Sequence, residues 1–183
     1  QEEEFEQILS SDFERGFESK YGEQTCATLQ TQYRMAPAIG SLISQCFYEG
    51  KLKNGKQDKD VPDIYNSLSN QIQSSVTWLD TTNLPNAYHI KHNTGSLTNQ
   101  AEADLIIKLL QDFSSDQQFY NSQVLTECLE KGAAAIGIIC MYGEQKRLIR
   151  KKFNEREWSE NFKKLVKIDT VYSYQGKENH III

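Results

Sequence analysis

Two short segments of this chain concentrate hydrogen-bond donors, charge and glycine: Gln32-Tyr33-Arg34-Met35 and Ser173-Tyr174-Gln175-Gly176-Lys177-Glu178. Residues of these types in a loop suit recognition of a polar, anionic ligand. Gly176 permits close backbone approach, and Glu178 offers a carboxylate that accepts hydrogen bonds. Other chemistries are not written here. The four cysteines (Cys26, Cys46, Cys128, Cys140) form no CxxC pair, and His89, His92 and His180 lack metal-ligand partners at sensible spacing, so no metal site is expected. The phosphate-cradling pattern GxxxxGK[ST] is also missing from these residues.

The surrounding pattern alternates helix and strand. Phe5, Ile8, Leu9, Phe13 and Phe17 recur at helical spacing in a lead-in over residues 1–25, and Cys26–Gln32 suits a strand. Pro37 opens a helix carrying Ile39, Leu42, Ile43, Cys46 and Phe47, with Gly50 just past its end. Residues 51–75 are polar and lysine-dotted, and read as a solvated loop excursion. Val76–Asp80 then reads as a buried strand and Asn83–Leu97 as a loop, and Asn99 with Glu102 forms a capping-box start to a helix bearing Ile106, Leu109, Leu110 and Phe113.

A short helix follows over Ser122–Lys131, then the continuous apolar run Ala134–Met141, typical of a central parallel strand. Gln145, Leu148, Ile149 and Phe153 mark a further helix, and Leu165–Val171 and His180–Ile183 two last strands. This alternation implies βαβ crossovers, hence an α/β fold with a mainly parallel sheet. In such sheets ligands sit beyond the carboxyl ends of the strands, where both chemistry-bearing segments fall.

At 183 residues, with 38% hydrophobic and 25% charged, the chain has the size and balance of one globular domain. A net charge of -5 disfavours gripping nucleic acid by bulk charge alone. No apolar run is long enough for a membrane span, no signal peptide is evident, and the cysteines read as reduced core thiols, so an intracellular setting is expected, cytoplasmic or nuclear. Starting at Gln1 and stopping on Ile181-Ile182-Ile183, the sequence reads as a piece of a longer protein.

Four elements in one order carry a family resemblance. Leu29–Leu52, with QYRM, resembles motif IV of superfamily 1 helicases, in the branch of the nonsense-mediated-decay helicase, senataxin and Dna2. Ser96, Asn99, Glu102 and Ala103 match its S-x-x-N-x-x-E-A segment, IGIICMYGEQKRLI its strand-Tyr-x-x-Gln-helix element, and Val166–Ile183 its motif V. The sequence departs from the family at Asn179-His180, where relatives commonly carry an acidic residue.

The resemblance implies that residues 1–183 are most of the second RecA-like motor domain, truncated after motif V. ATP and Mg2+ would then lie in the cleft against the first RecA-like domain of the same chain, which supplies the phosphate-binding loop. The piece alone is therefore expected to be inactive. Arg34 takes the place of an arginine finger, whose planar guanidinium suits neutralising charge on a γ-phosphate. Gln175, Gly176, Lys177 and Glu178 fall on the nucleotide side, with Glu178 accepting from the ribose hydroxyl. Thr170, Ser173, Tyr142 and Gln145 fall on single-stranded DNA or RNA, bound through phosphate and sugar.

Each of these readings has a plainer counterpart. An isolated arginine is usually a surface or capping residue, Gln175-Gly176 alone would be only a turn, and the basic run Lys146, Arg147, Arg150, Lys151, Lys152 and Arg156 reads as a solvated helix face. For the whole protein, the rival to a motor is a non-hydrolysing nucleic-acid-binding or scaffold protein that keeps the fold.

Overall fold

The computed structural model describes residues 12–25, 27, 29–61, 64, 72 and 74–183. The chain divides into two compact units, Gln1–Asp60 and Val61–Ile183. In the first, the described part of the lead-in contains two short helices, α1 (Asp12–Phe17) and α2 (Lys20–Thr25). The break falls at Ser19, whose hydroxyl donates to the Gly16 carbonyl and accepts from the Gly22 N–H at 3.0 Å, ending one helix and starting the next. Phe5, Ile8, Leu9 and Cys26 lie outside the described residues.

The expected first strand shrinks to β1 (Thr31–Gln32) and is followed by α3 (Pro37–Phe47). Proline suits the first helical turn, and Gly50 closes the other end at φ 74°, its N–H reaching the Ser44 carbonyl at 2.9 Å. The predicted apolar stripe of α3 is not the buried one. Leu42, Cys46 and Phe47 are exposed, whereas Gly40 and Ser44 are buried. That face turns inward because β2 (Lys53–Asn54), running parallel to β1, brings the Asn54 amide onto it. The excursion beyond Lys51 thus begins as ordered structure, while residues 62–63, 65–71 and 73 lie outside the described residues.

In the second unit, Val76–Asp80 does not form a strand, and Trp78 is 90% exposed. Local bonds form at its two ends instead: the Ser74 hydroxyl donates to the Val76 carbonyl at 2.6 Å, and the Asp80 carboxylate accepts from the Thr82 N–H. The expected loop before Leu97 contains β3 (His89–Lys91), an antiparallel partner of β4 (Leu97–Asn99). Then come α4 (Gln100–Ser115), α5 (Gln117–Tyr120) and α6 (Gln123–Glu130).

Strand β5 (Ile136–Cys140) is the centre of a parallel sheet, between β6 (Val166–Thr170) and β7 (Ile181–Ile182), with α7 (Gly143–Asn154), α8 (Glu160–Leu165) and α9 (Val171–Tyr174) in the connections. Ile136, Gly137, Ile138 and Cys140 are all buried, and since alternate residues of a strand face opposite ways, both faces of β5 are covered. The core joins Leu110 and Phe113 of α4, Phe119 of α5, Ile149 and Phe153 of α7, and Phe162 of α8. Trp158 stacks between Phe153 and Phe162, at centroid separations of 4.9 and 5.3 Å, and donates its indole N–H to the Phe153 carbonyl. Cys128 and Cys140 are buried thiols, as expected. Among the described residues no helix is long and apolar enough to cross a membrane.

Candidate functional site

The carboxyl ends of β5 and β6 lie side by side, because Cys140 pairs with Thr170 in a parallel ladder. The two loops leaving them carry most of the expected site residues, and hydrogen bonding fixes how they stand. At the start of α7, the Ser96 hydroxyl accepts the Glu144 N–H at 3.1 Å. Gln145 is buried, accepts from the Asn99 N–H through Oε1 at 2.8 Å and donates through Nε2 to the Asn99 carbonyl at 3.1 Å.

This two-bond clasp alters the expected capping box. Asn99 still caps α4 by accepting the Glu102 N–H, but its own N–H, which a capping-box carboxylate would take, goes to Gln145. Gln145 was expected to touch nucleic acid; its side chain faces inward and clasps α4 to α7. Tyr142, at the N-cap position of α7, is 44% exposed beside it.

Beyond β6, Thr170 donates its hydroxyl to the exposed Ser173 at 3.3 Å. Asp169 fixes the end of the strand, accepting the Thr170 N–H at 2.9 Å and facing the Lys146 ammonium at 3.4 Å. Burial raises the Asp169 pKa, but the Thr170 N–H and Lys146 outweigh it, so the carboxyl sits below its ordinary value of 3.8. Burial also pushes the Cys140 thiol up to about 11.

Gln175-Gly176 forms a type II turn. Gln175 has φ -53° and ψ 130°, Gly176 has φ 76°, and the Lys177 N–H closes it on the Tyr174 carbonyl at 3.0 Å. Such a turn favours glycine at its third position, and a Cβ built on Gly176 would meet nothing within 4 Å. Bare backbone therefore faces open space. Lys177 donates to the Ser173 carbonyl at 2.5 Å and lies near Lys167, whose pKa is lowered first by the side-chain hydrogen bond with Lys177, then by desolvation and by the positive charge of Lys177. Glu178 is exposed two residues on, and Asn179 ties the crossover back to the Ala134 carbonyl at 2.5 Å.

Much of the basic run on α7 is used within the unit. Arg150 grips the Ile168 carbonyl with two N–H groups, Lys152 meets Asp104, Arg147 meets Glu144, and Lys151 meets Glu155. His89 lies 3.9 Å from Glu102, and His92 hydrogen-bonds Thr98.

Arg34 belongs to the first unit. Its turn is held by Gln32 together with Asn54 and Lys56, which lie in the segment expected to be a solvated excursion. Gln32 Oε1 accepts the Met35 N–H at 2.7 Å, and Gln32 Nε2 donates to the Met35 carbonyl and to Asn54 Oδ1. Asn54 in turn donates to the Pro37 carbonyl and to Ser41, both at 3.0 Å, and Lys56 donates to the Arg34 carbonyl at 3.2 Å. The signal available in the sequence was the polar, glycine-containing Asn54-Gly55-Lys56 directly after Leu52-Lys53, too brief to separate from loop chemistry.

Comparison with known proteins settles the family. The profile described as an AAA domain (AAA_12) matches residues 8–183. This chain belongs to that AAA-domain family. It is similar to the 5'-3' DNA helicase ZGRF1 of Mus musculus, 27% identical over 179 residues, spanning 93% of this chain and 8% of that protein. It is also similar to the helicase SEN1 of Saccharomyces cerevisiae, 30% identical over 156 residues, spanning 85% of this chain and 6% of that protein. The DNA replication ATP-dependent helicase/nuclease dna2 of Schizosaccharomyces pombe is 28% identical over 171 residues, spanning 87% and 11%. The chain thus spans about a tenth or less of each of these three relatives. Family membership and these helicase relatives support a superfamily 1 helicase family, and the α/β model with its parallel sheets agrees with a RecA-like fold.

Proposed function

We propose that this chain is the second RecA-like motor domain of an ATP-dependent superfamily 1 helicase or translocase, acting on single-stranded DNA or RNA. The observation that carries the reading is the segment after β6, where Thr170 and Ser173 hydroxyls stand at the strand's carboxyl end and the open backbone of Gly176 follows. Bound ATP and Mg2+ supply the hydrolysable phosphoanhydride and a charge-neutralising cation. This chain's residues bind and orient. Gly176 admits the nucleotide to its backbone, Glu178 accepts from the ribose, and Gln175 links this side to the strand-binding side. Lys177 adds positive charge to the same loop.

Ser173, Thr170 and Tyr142 contact phosphate and sugar, as a sequence-indifferent track requires. Gln145 acts here by position, holding the loop after β5 to α4. Arg34 neutralises charge on the transferring phosphoryl group from this domain's side of the cleft, opposite a first RecA-like domain that carries the phosphate-binding loop.

The test is ATP hydrolysis by the full-length protein, with and without single-stranded DNA or RNA. Arg34→Ala is expected to lower turnover on the order of 10³-fold while nucleotide still binds. A full-length protein that binds single strands but never hydrolyses ATP would overturn the motor reading in favour of a scaffold with the same fold.

A further inference from the structure

Asn54, Gly55 and Lys56 follow Gln32, Tyr33 and Arg34 residue for residue. β1 and β2 pair in parallel with Gln32 opposite Asn54, and the Gly55 N–H continues the ladder to the Gln32 carbonyl at 2.8 Å. Each of the three makes a different contact. The Asn54 amide accepts from Gln32 at 2.8 Å and anchors it to the start of α3 through Pro37 and Ser41. Gly55 lies against the Tyr33 ring so closely that a Cβ there would stand 2.2 Å from a ring carbon. Lys56 takes the Arg34 carbonyl.

From these contacts we infer that Asn54-Gly55-Lys56 is a positioning element for Arg34, with Asn54 as its keystone. The inference rests on the proposed role of Arg34. Gln32 has one side-chain amide, and its oxygen and nitrogen hold both backbone groups of Met35, bracketing Tyr33-Arg34 in a fixed turn. The amide keeps that orientation because Asn54 Oδ1 accepts its N–H. Gly40 completes the arrangement, since a Cβ there would fall 2.0 Å from Asn54 Oδ1 and 2.6 Å from Gln32 Nε2. A group that acts by insertion from a neighbouring domain works only where its backbone is held, and small misplacements cost on the order of 10²-fold.

The experiment uses the full-length protein with Asn54→Ala and, independently, Gly40→Ala. Both are expected to lower kcat of nucleic-acid-stimulated ATP hydrolysis roughly 10- to 100-fold, with KM for ATP unchanged. Neither should lower it further when Arg34→Ala is already present. Amide exchange in a peptide covering residues 32–35 should quicken in both, which reads the positioning without any turnover. Normal kcat and exchange in both variants would overturn the inference, as would losses that simply add to that of Arg34→Ala. If Arg34→Ala itself leaves hydrolysis intact, the role of Arg34 falls and this inference with it; if Arg34→Ala is crippled while Asn54→Ala turns over normally, only the inference falls.

Discussion

The two units hold their functional residues by different means. In Gln1–Asp60 the described interior is polar, the buried positions being Gly22, Gly40 and Ser44, and the Arg34 turn stands on amide hydrogen bonds. In Val61–Ile183 hydrogen bonds from Gln145, Ser96 and Asp169 also orient the loops after β5 and β6, but the strands that carry them rest on an apolar core that includes Phe113, Phe119 and Phe162, each fully buried. Hydrogen bonds are directional but contribute little net stability, about 1 kcal/mol each, whereas buried apolar groups are worth several and impose little orientation. The first unit thus secures geometry, and the second secures stability.

Substitutions can break or sharpen that contrast. Phe113→Ala should cost about 3–5 kcal/mol in denaturant unfolding. Leu42→Ala, in the exposed stripe of α3, should change stability by no more than about 0.5 kcal/mol. Equal losses at the two positions would erase the contrast. Gln145→Leu, which strands the Asn99 backbone groups in a buried place, should cost about 1–3 kcal/mol and weaken single-strand binding through the Tyr142 loop.

Asp169→Asn is a smaller lesion, about 1 kcal/mol at neutral pH, and its pH dependence has a definite sign. Since the folded carboxyl lies below 3.8, its contribution is present above that value and is lost as the pH falls through and beneath it. Stability measured from pH 6 downward to about 3 should therefore fall less steeply for the Asn variant than for the parent. Smallest of all, Cys46 should label with a thiol reagent at pH 8 in the native protein, whereas Cys140, buried and raised to about 11, should label only on unfolding.

Periodicity made the helices and the central strand legible, because α4, α7 and β5 bury one-sided or continuous apolar runs against the core. A capping residue placed the start of α4, where Asn99 accepts from the Glu102 N–H as its type implies. What local pattern did not reveal is pairing across sequence distance. Val76–Asp80 has strand composition, yet no strand pairs with it among the described residues; His89–Lys91 has loop composition, yet β4 gives it a partner. The site followed the same rule. Residue types drew attention to Ser173 and Gly176 and the family resemblance to Thr170, but the inward clasp of Gln145 and the hold of Asn54 on Gln32 depend on partners 46 and 22 residues away.

The parallel ladder of β5 with β6 and β7 also sets a timetable for synthesis. The apolar face of α4 leaves the ribosome well before its sheet, since Phe113 precedes Ile168 by about 55 residues, roughly 3–10 s at ~5–20 residues per second. During that interval Ile107, Leu110 and Phe113 lack the Ile168 end of the core they share, and a nascent chain stalled there offers a ready grip to a chaperone.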